Sequence, residues 1–536
     1  MSEMPRDFFR SELVGADLVW LLSLSYAGRT FRWSSYPLEI TDADGEVYVF
    51  SGELGDVDLV ETLDLLTTSP DQLSIPFEVV FPVDVAQLVQ QGHDLSAATA
   101  EVALHVPGNS WEDRRVVLVG DVVQPTYGAE NEPVAFSVEQ NLWDDRSLVP
   151  MASARVTETT WSSRPSNSEG LYYPVVFGAP GAYVTASGST ARTSGSPAIV
   201  VEMTGSDVDT LLIAGHRVSA SQVRIYDADG TGEDFSVSHV DDGLNQTVAV
   251  VDITSAGTVD RTSEEWWVGW DSGGAMLSDE QTGVREGAGE VIEWFLRQSS
   301  ISVDRGRWKS LEGQLNKYTL AGYLDEPVSP WEFVADHFLP LLPLSILVGP
   351  EGLVPVLWRY SATASDALEH LEVGPGVTRV SPVSYNKLPR DIVNEIRLDY
   401  AKRAKTGDSR RSVTILAEPS SATEEISNYY AKISTRRYGT GAKSLNTDVI
   451  YDDRTAAQIV KWMLRGEGFS HRQVTYEVGH EYAWLSLGDV ITLTDNELFW
   501  DTQVALVQAI QWGPVSLDLT LLVLEDILRD NRAVSS

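Results

Sequence analysis

Short runs of alternating apolar and polar residues mark both ends of the chain. Residues 18–26 (LVWLLSLSY) predict a strand, because the acidic residues that precede them are atypical of a secretory leader. The DADG at residues 42–45 predicts a hairpin turn, and residues 515–523 (VSLDLTLLV) predict a strand with one buried face. Many strands at this spacing predict one β domain at 1–150 and another, with one helix, at 376–536.

The two β regions are separated by residues of a different pattern. A stretch rich in Ser, Thr and Arg at 151–170 predicts a linker or long loop, and 171–275 then predict an inserted β-sandwich-like unit. Residues 276–375 predict a small α+β domain, because helical periodicity begins at Glu290–Arg297. The predicted fold class is therefore mainly β with some α, in several domains.

Two further helices are marked by their end signals. Residues 329–332 (SPWE) combine a capping Ser, a Pro at the first helical position and a Glu that can return to the cap, and Pro340 ends this helix. A second helix follows Asp452, and Gly466 and Gly468 predict its end. Its apolar face consists of Ala456, Ile459, Val460, Met463 and Leu464.

The stretch at 478–500 (VGHEYAWLSLGDVITLTDNELFW) contains enough ionisable residues to suggest a metal or hydrolytic site. Its histidine and acids are His480, Glu481, Asp489, Asp495 and Glu497. However, His480 lies at the end of an alternating strand, and no second histidine stands at ligand spacing. We interpret Gly488 and Asp489 as a structural turn between two apolar strand runs, and the acids as turn and solvent-face residues.

Charge and cysteine content narrow the function classes. The chain has 536 residues, a formal net charge of -39 and no cysteine. Such acidity disfavours a protein that grips nucleic-acid phosphates, but it suits a surface along which nucleic acid slides without binding. The lack of cysteine excludes disulfides, thiolate metal sites and a cysteine nucleophile.

Other motifs that could carry chemistry are incomplete. Residues 227–234 (DADGTGED) resemble a calcium loop without its expected acids, so a hairpin turn is favoured while calcium stays open. Residues 439–444 (GTGAKS) lack the ending of a phosphate loop and are interpreted as a flexible loop. No GxSxG elbow is present, and among 78 acids close carboxylate pairs arise by chance. The sequence predicts no catalytic residue, cofactor or metal, and no enzyme.

The densest basic run surrounds a glycine-containing turn. Its members are Arg397, Lys402, Arg403, Lys405, Arg410 and Arg411. One interpretation is a solvated hairpin tip, and the other is a contact with an acidic neighbouring subunit. Both stay open, and the run is a candidate subunit interface.

Several stretches near the two ends of the chain carry a family resemblance. The helix DRTAAQIVKWMLRG, the later WLSLGDVITLTD and a closing hairpin resemble the C-terminal part of the tail hub (baseplate hub or central tail-tip) proteins of long-tailed bacteriophages. IVNEIRLDYA at 392–401 is similar to the strand before that helix. Near the start, RWSSYPLEI, DGEVYVFSGEL and FEVVFPVDVAQLV resemble the tail-tip proteins of this group.

The resemblance implies two tube-like β-barrel domains per chain and a ring closed by three chains at the end of the tail tube. The implied partners are two further copies, a tail tube or distal tail protein, a tape-measure protein and other tail-tip or fibre proteins. DNA would pass the channel without specific binding. The implied location is the tail tip of the virion, after assembly in the host bacterial cytoplasm and without membrane insertion.

Two other function classes stay open at this point. A receptor- or carbohydrate-binding tail-tip protein is suggested by the 16 Trp and 19 Tyr residues, which stack well on sugars. A tail-associated cell-wall glycoside hydrolase is the third class. Most of the tryptophans lie within strand or helix patterns, which favours a role in core packing.

Overall fold

A computed structural model describes residues 18–524, apart from positions 53, 55–56, 58, 63–73, 82–88, 128–132, 140–146, 187–188, 194, 206, 227–233, 243–245, 254–264, 271–275, 277–283, 300–301, 350–351, 404–406, 421 and 514–515. The protein is mainly β with a minority of helix, and it is divided into several sheets with separate cores, which confirms the predicted fold class. None of the helices in the described part of the chain is long and apolar enough to cross a membrane.

The N-terminal region forms an antiparallel sheet with the strand order β2-β1-β7-β8-β9-β6. The strands of this region are β1 (Val19–Tyr26), β2 (Arg29–Ser34), β3 (Leu38–Thr41), β4 (Val47–Phe50), β5 (Leu59–Thr62), β6 (Ser74–Val79), β7 (Thr99–His105), β8 (Arg115–Thr126) and β9 (Val134–Glu139). β1 confirms the strand predicted at 18–26, and β3 and β4 form the hairpin predicted around 42–45. β6 buries Ile75, Phe77 and Val79 because alternate side chains point to one face of a strand.

The next region forms one six-stranded sheet in the order β15-β18-β13-β14-β17-β16. Its strands, with three short flanking ones, are β10 (Val175–Phe177), β11 (Ala182–Ala186), β12 (Ser189–Thr193), β13 (Ser196–Thr204), β14 (Asp207–Ala214), β15 (Val223–Tyr226), β16 (Phe235–Asp241), β17 (Thr247–Ile253) and β18 (Trp266–Trp270). Neighbouring residues such as Leu211 and Leu212 belong to different cores, so both sheet faces are covered. The predicted linker is a packed loop, since Val156 and Trp161 contribute to one of these cores.

Helices and a hairpin lie within residues 276–375, for which the sequence predicted helices. The elements are α1 (Ala288–Gln298), α2 (Arg305–Leu315), β19 (Gly322–Leu324), α3 (Pro330–Phe333), β20 (Leu344–Gly349) and β21 (Gly352–Leu357). α1 buries Val291, Ile292, Phe295 and Leu296, which confirms its predicted apolar face. α3 is capped by Ser329, whose Oγ accepts a 3.5 Å hydrogen bond from Glu332 N, and a π-helical turn at Val334–Phe338 extends it almost to Pro340.

The C-terminal sheet has the order β22-β30-β31-β32-β29-β23. Its strands are β22 (Glu369–Glu372), β23 (Val377–Arg379), β24 (Ser384–Tyr385, paired with β29), β29 (Arg472–Val478), β30 (Val490–Asp495), β31 (Trp500–Trp512) and β32 (Leu517–Val523). The two outermost strands, β22 and β23, are consecutive and joined by a short turn with a bridge between Gly374 and Val377. The sheet therefore curls until its ends meet around one core.

A second, smaller sheet lies within the predicted domain 376–536. It has the order β27-β26-β25-β28 and carries its helices on one face. The elements are β25 (Glu395–Lys402), β26 (Ser409–Leu416), β27 (Glu425–Ser427), α4 (Tyr429–Tyr438), β28 (Ala442–Asn446) and α5 (Asp453–Glu467). α5 buries all five predicted apolar residues, but Gly466 lies inside the helix and Gly468 ends it at φ -77° rather than in a left-handed conformation. The domain boundaries themselves stay a prediction.

Candidate functional site

A strand of the N-terminal region, β5, lies outside the N-terminal sheet and joins the C-terminal sheet. β5 pairs antiparallel with the last part of β31, with Leu59 opposite Trp512 and Thr62 opposite Ala509. β30 pairs with the first part of β31. Because β31 is long, the same edge of this strand pairs with β30 at one end and with β5 at the other. One continuous hydrophobic core contains side chains of both sheets, including Trp20 and Leu519. We call this contact the joint.

Arg115, the first residue of β8, crosses the joint. Its Nη1 donates a hydrogen bond to the carbonyl oxygen of Ala483, and its guanidinium lies 4.8 Å from the centroid of the Trp512 ring. Burial lowers the pKa of Arg115, and the carboxylate of Glu61 opposes that shift. A cation held on an aromatic face and by a backbone carbonyl is costly to leave unpaired, so this side chain favours one relative placement of the end domains.

Two acids face Arg115 in the joint, and both have perturbed pKa values. Burial raises the pKa of Glu61, with Arg115 opposing it. Burial also raises the pKa of Asp489, while the amide of Ser486, which donates a 2.8 Å hydrogen bond to Asp489 Oδ2, and the guanidinium of Arg307 oppose it. Both carboxylates therefore interact with neighbouring cations, and Asp489 also accepts a hydrogen bond from an amide. Interactions of this kind help to hold the two end regions together.

Gly488 lies at the edge of the joint. Its φ is +80°, in the left-handed region, and a Cβ atom at this position would lie 2.4 Å from Val356 Cγ1 on β21. Its amide donates a 2.8 Å hydrogen bond to the carbonyl oxygen of Val507. The backbone at Gly488 therefore turns sharply and approaches a neighbouring hairpin closely, two conditions that glycine meets without strain.

The prediction that the acids of 478–500 lie in turns and on solvent faces is wrong for Asp495. Its side chain is fully buried and accepts hydrogen bonds from Arg379 Nη1 at 2.8 Å and Tyr476 Oη at 2.9 Å. Its other oxygen accepts from the amides of Glu497 and Leu498, which caps a short helical turn. His480 is also buried. The last position of β30 faces inward, so alternation would have indicated burial, but the chemical type of Asp495 suggested exposure.

No metal-binding cluster of three or more His, Cys, Asp or Glu side chains occurs in the part of the chain that the structure describes. Of the calcium-like loop, positions 227–233 lie outside the described residues. The flexible-loop interpretation of 439–444 is wrong for its second half, because Ala442–Asn446 form β28 and pair in parallel with β25. Backbone pairing along β25 fixes this segment.

The candidate interface run is divided between different environments. Arg397 and Lys402 lie on β25, Arg403 follows it, Arg410 and Arg411 lie on β26, and Lys405 is outside the described residues. Arg397 forms a 2.9 Å ion pair with Asp399 on its own strand. Arg411 binds Asp453 at the start of α5, and Tyr400 Oη donates a 2.7 Å hydrogen bond to the same carboxylate. The role of the run as an interface stays a prediction.

The charge distribution contains a signal that the motif search missed. Residues 377–472 contain 17 Lys and Arg against 11 Asp and Glu, a formal net charge of +6, so the remaining residues carry -45. We call 377–472 the basic segment; it contains the small sheet with α4 and α5. A running sum of charge along the amino-acid sequence is enough to identify it. By contrast, no sequence pattern indicated that Glu61 and Arg115 would meet.

Comparisons with known proteins give matches among solved structures. No protein-family model and no curated protein matches the chain. A tail protein from Neisseria meningitidis is 11% identical with a TM-score of 0.38, and the match covers 95% of this chain and 97% of that one. A tail protein of prophage MuSo2 from Shewanella oneidensis is 8% identical with a TM-score of 0.34, covering 94% and 98%. A prophage tail protein from Listeria monocytogenes is 8% identical with a TM-score of 0.31, covering 97% and 98%.

Proposed function

We propose that the chain is a structural protein of a bacteriophage tail, and that three copies form the hub ring at the tail tip. The observation that carries this proposal is the joint, in which β5 of the N-terminal region adds to the C-terminal sheet and the two end sheets share one core. Two such sheets per chain give six around a three-chain ring, which matches a six-fold tube to a three-fold tip. The sequence resemblance of both end regions to tail hub proteins supports the same assignment.

Net charge supports a channel through which DNA passes without adhering. Three chains together carry a formal charge of -117, three times the -39 of one chain. An acidic channel wall repels phosphates, whereas a binding groove for DNA needs a basic face. The proposed partners are the tail tube or distal tail protein, the tape-measure protein and other tail-tip or fibre proteins.

The structure offers little support for sugar binding as the main role. In the described residues, the exposed large apolar side chains are Tyr, Val, Leu, Met and Phe, and no Trp is among them. Tryptophans that stack on sugars must present a ring face to solvent, whereas Trp33, Trp270 and Trp308 are completely buried. Core packing therefore accounts for much of the tryptophan content.

Native mass spectrometry of the purified full chain, followed by electron microscopy, tests the proposal. We expect a trimer of about 177 kDa, three times the 58.9 kDa of one chain, and a closed ring with an acidic bore. A chain that stays monomeric and joins no tail complex would refute the proposal. So would a ring with a strongly basic bore.

A variant of the joint sharpens this experiment. Arg115→Ala removes the contacts with Trp512 and the carbonyl of Ala483, so the end domains lose a restraint and the yield of closed rings should fall. Arg29→Ala is the matched control, because Arg29 is an exposed residue at the start of β2. Equal ring yields from the two variants would show that the joint does not set the ring geometry.

A further inference from the structure

Helix α4 presents an aromatic and cationic face to solvent. Tyr429, Lys432 and Arg436 follow one another at helical spacing, and all three are exposed. Ala431, Ile433 and Ser434 of the same helix are buried. We call Tyr429, Lys432 and Arg436 the α4 face.

Among the described residues, no acid pairs with the cations of the α4 face. Neither Lys432 nor Arg436 forms an ion pair with any described residue, although acids outnumber bases two to one in the chain. Other bases of the basic segment have partners: Lys443 pairs with Glu467 at 2.9 Å, and Arg379 pairs with Asp495. The α4 face is therefore an unneutralised positive surface on a very acidic protein.

The β3–β4 hairpin of the N-terminal region offers a surface of complementary chemistry. Glu39 stands opposite Val49 on its outer face, and Val47 stands opposite Thr41. Val47 and Val49 are 54% and 60% exposed, and the neighbouring Glu46 is also exposed. The inner face is already used, because Ile40 and Phe50 pack into a buried core. We call Glu39, Glu46, Val47 and Val49 the hairpin face.

We propose that the α4 face of one copy docks on the hairpin face of the next copy. In this contact Tyr429 covers Val47 and Val49, while Lys432 and Arg436 pair with Glu39 and Glu46. Apolar contact at the centre with charge pairing around it is the usual composition of a protein interface.

Charge and exposure indicate that another copy of the chain binds the α4 face. Outside the basic segment the chain carries -45, so another copy supplies the acidic partner that the α4 face lacks. Both faces are exposed in a single chain, so they do not cover each other. Two different faces that bind between copies form a head-to-tail interface, which gives a ring where the rotation between copies closes. This inference rests on the proposed ring, and it names the surfaces that close it.

Charge reversal in the full chain tests the docking. A helix variant carries Lys432→Glu and Arg436→Glu, a hairpin variant carries Glu39→Lys and Glu46→Lys, and a swapped variant carries all four changes. Sedimentation equilibrium at about 150 mM salt measures self-association. We expect each two-site variant to weaken self-association at least tenfold, because each loses close charge pairs across the interface. The swapped variant should regain the self-association of the natural chain, because its charge pairs are restored with opposite signs.

The matched control carries Arg454→Glu and Lys461→Glu on α5, two exposed cations outside the α4 face. It has the same net charge as the helix variant, so it separates a specific contact from general repulsion. We expect its association to stay within about threefold of the natural chain. Carbodiimide should also cross-link Lys432 of one copy to Glu39 or Glu46 of another.

These experiments distinguish a failure of the docking inference from a failure of the proposed function. If the natural chain forms rings and the helix variant forms them equally well, the docking inference is wrong while the proposed function stands. If the natural chain forms no ring at all, both are overturned. If the helix variant keeps its self-association but loses binding to duplex DNA in fluorescence anisotropy, the α4 face binds nucleic acid and the docking inference is overturned.

Discussion

Arg379 holds the carboxylate of Asp495 inside the C-terminal sheet through a 2.8 Å hydrogen bond from Nη1 to Oδ2. Asp495 has no exposed surface, whereas Arg379 still reaches solvent. Because its removal leaves the Tyr476 hydroxyl and the amides of Glu497 and Leu498 without their acceptor, Asp495→Ala should lower the free energy of unfolding by about 3 kcal/mol. Thermal melting of the purified variant measures the change.

Glu497→Ala provides the control for Asp495→Ala. Glu497 also pairs with Arg379, through a 2.6 Å contact from Nη2, but its side chain is 76% exposed. Solvent screens such a pair, so we expect a change of about 0.5 kcal/mol or less. Equal effects of the two variants would contradict the structural role assigned to the buried carboxylate.

Gly488→Val should damage folding or assembly. Valine is strained at the φ of +80°, and its Cβ would collide with Val356, so the two costs add to several kcal/mol. Soluble yield and melting temperature provide the measurement. A variant with natural yield and melting temperature would mean that the turn is misinterpreted.

Gly45→Val separates the cost of backbone strain from the cost of the steric collision. Gly45 has a similar φ of +88°, but nothing lies within 4 Å of a Cβ built on it. This variant should show the backbone strain alone, roughly 1–2 kcal/mol. The difference between the two variants then reports the contact with Val356.

Stability should fall in acid because of His105. Burial lowers the pKa of His105 to about 4, and neither ring nitrogen has a hydrogen-bond partner among the described residues. Between pH 6.5 and pH 4, His105 is protonated in the unfolded chain but stays neutral in the folded chain. Protonation therefore favours the unfolded state, and stability is lost as the pH falls from 6.5 towards 4. At pH 5 the loss should be about 2 kcal/mol.

His105→Leu should remove that part of the acid sensitivity. Leucine has no proton to bind and leaves no polar atom unpaired at a position that is 1% exposed. The melting temperatures of the two proteins at pH 7 and pH 5 give the comparison. His216 and His471, whose pKa values burial also lowers to about 4, should keep the remaining sensitivity. An unchanged pH dependence would show that His105 does not contribute.

Phe499 occupies a conformation that suits another residue. Its φ is +55°, and its side chain is 95% exposed at the tip between β30 and β31. Asparagine tolerates the left-handed region and loses no packing here, so Phe499→Asn should raise stability by about 0.5 kcal/mol, and Phe499→Val should lower it. Urea unfolding of the three proteins tests this order. If Asn were destabilising, the aromatic ring would have a contact that its exposure conceals.

The sequence predicted the local elements well, because each depends on neighbouring residues. Apolar spacing placed α1 and α5, and the Ser329 cap placed α3. The hydrogen bonds of the buried Asp495 could not be predicted from neighbouring residues, since its partners Arg379 and Tyr476 are distant in the sequence. Likewise, IVNEIRLDYA has the pattern of a strand, but the pattern does not say which sheet the strand enters. Long-range pairing determines both outcomes.

The pairing of β5 with β31 also sets the order in which the protein can be completed. Leu59 leaves the ribosome early, but Trp512 follows more than 440 residues later, which is roughly half a minute at about 15 residues per second. A chain interrupted before β31 lacks the strand that pairs with β5 and therefore cannot close the joint. In the proposed ring, completion of the joint would therefore act as a check on chain length, because a subunit that ends before β31 lacks the contact that connects its two end regions.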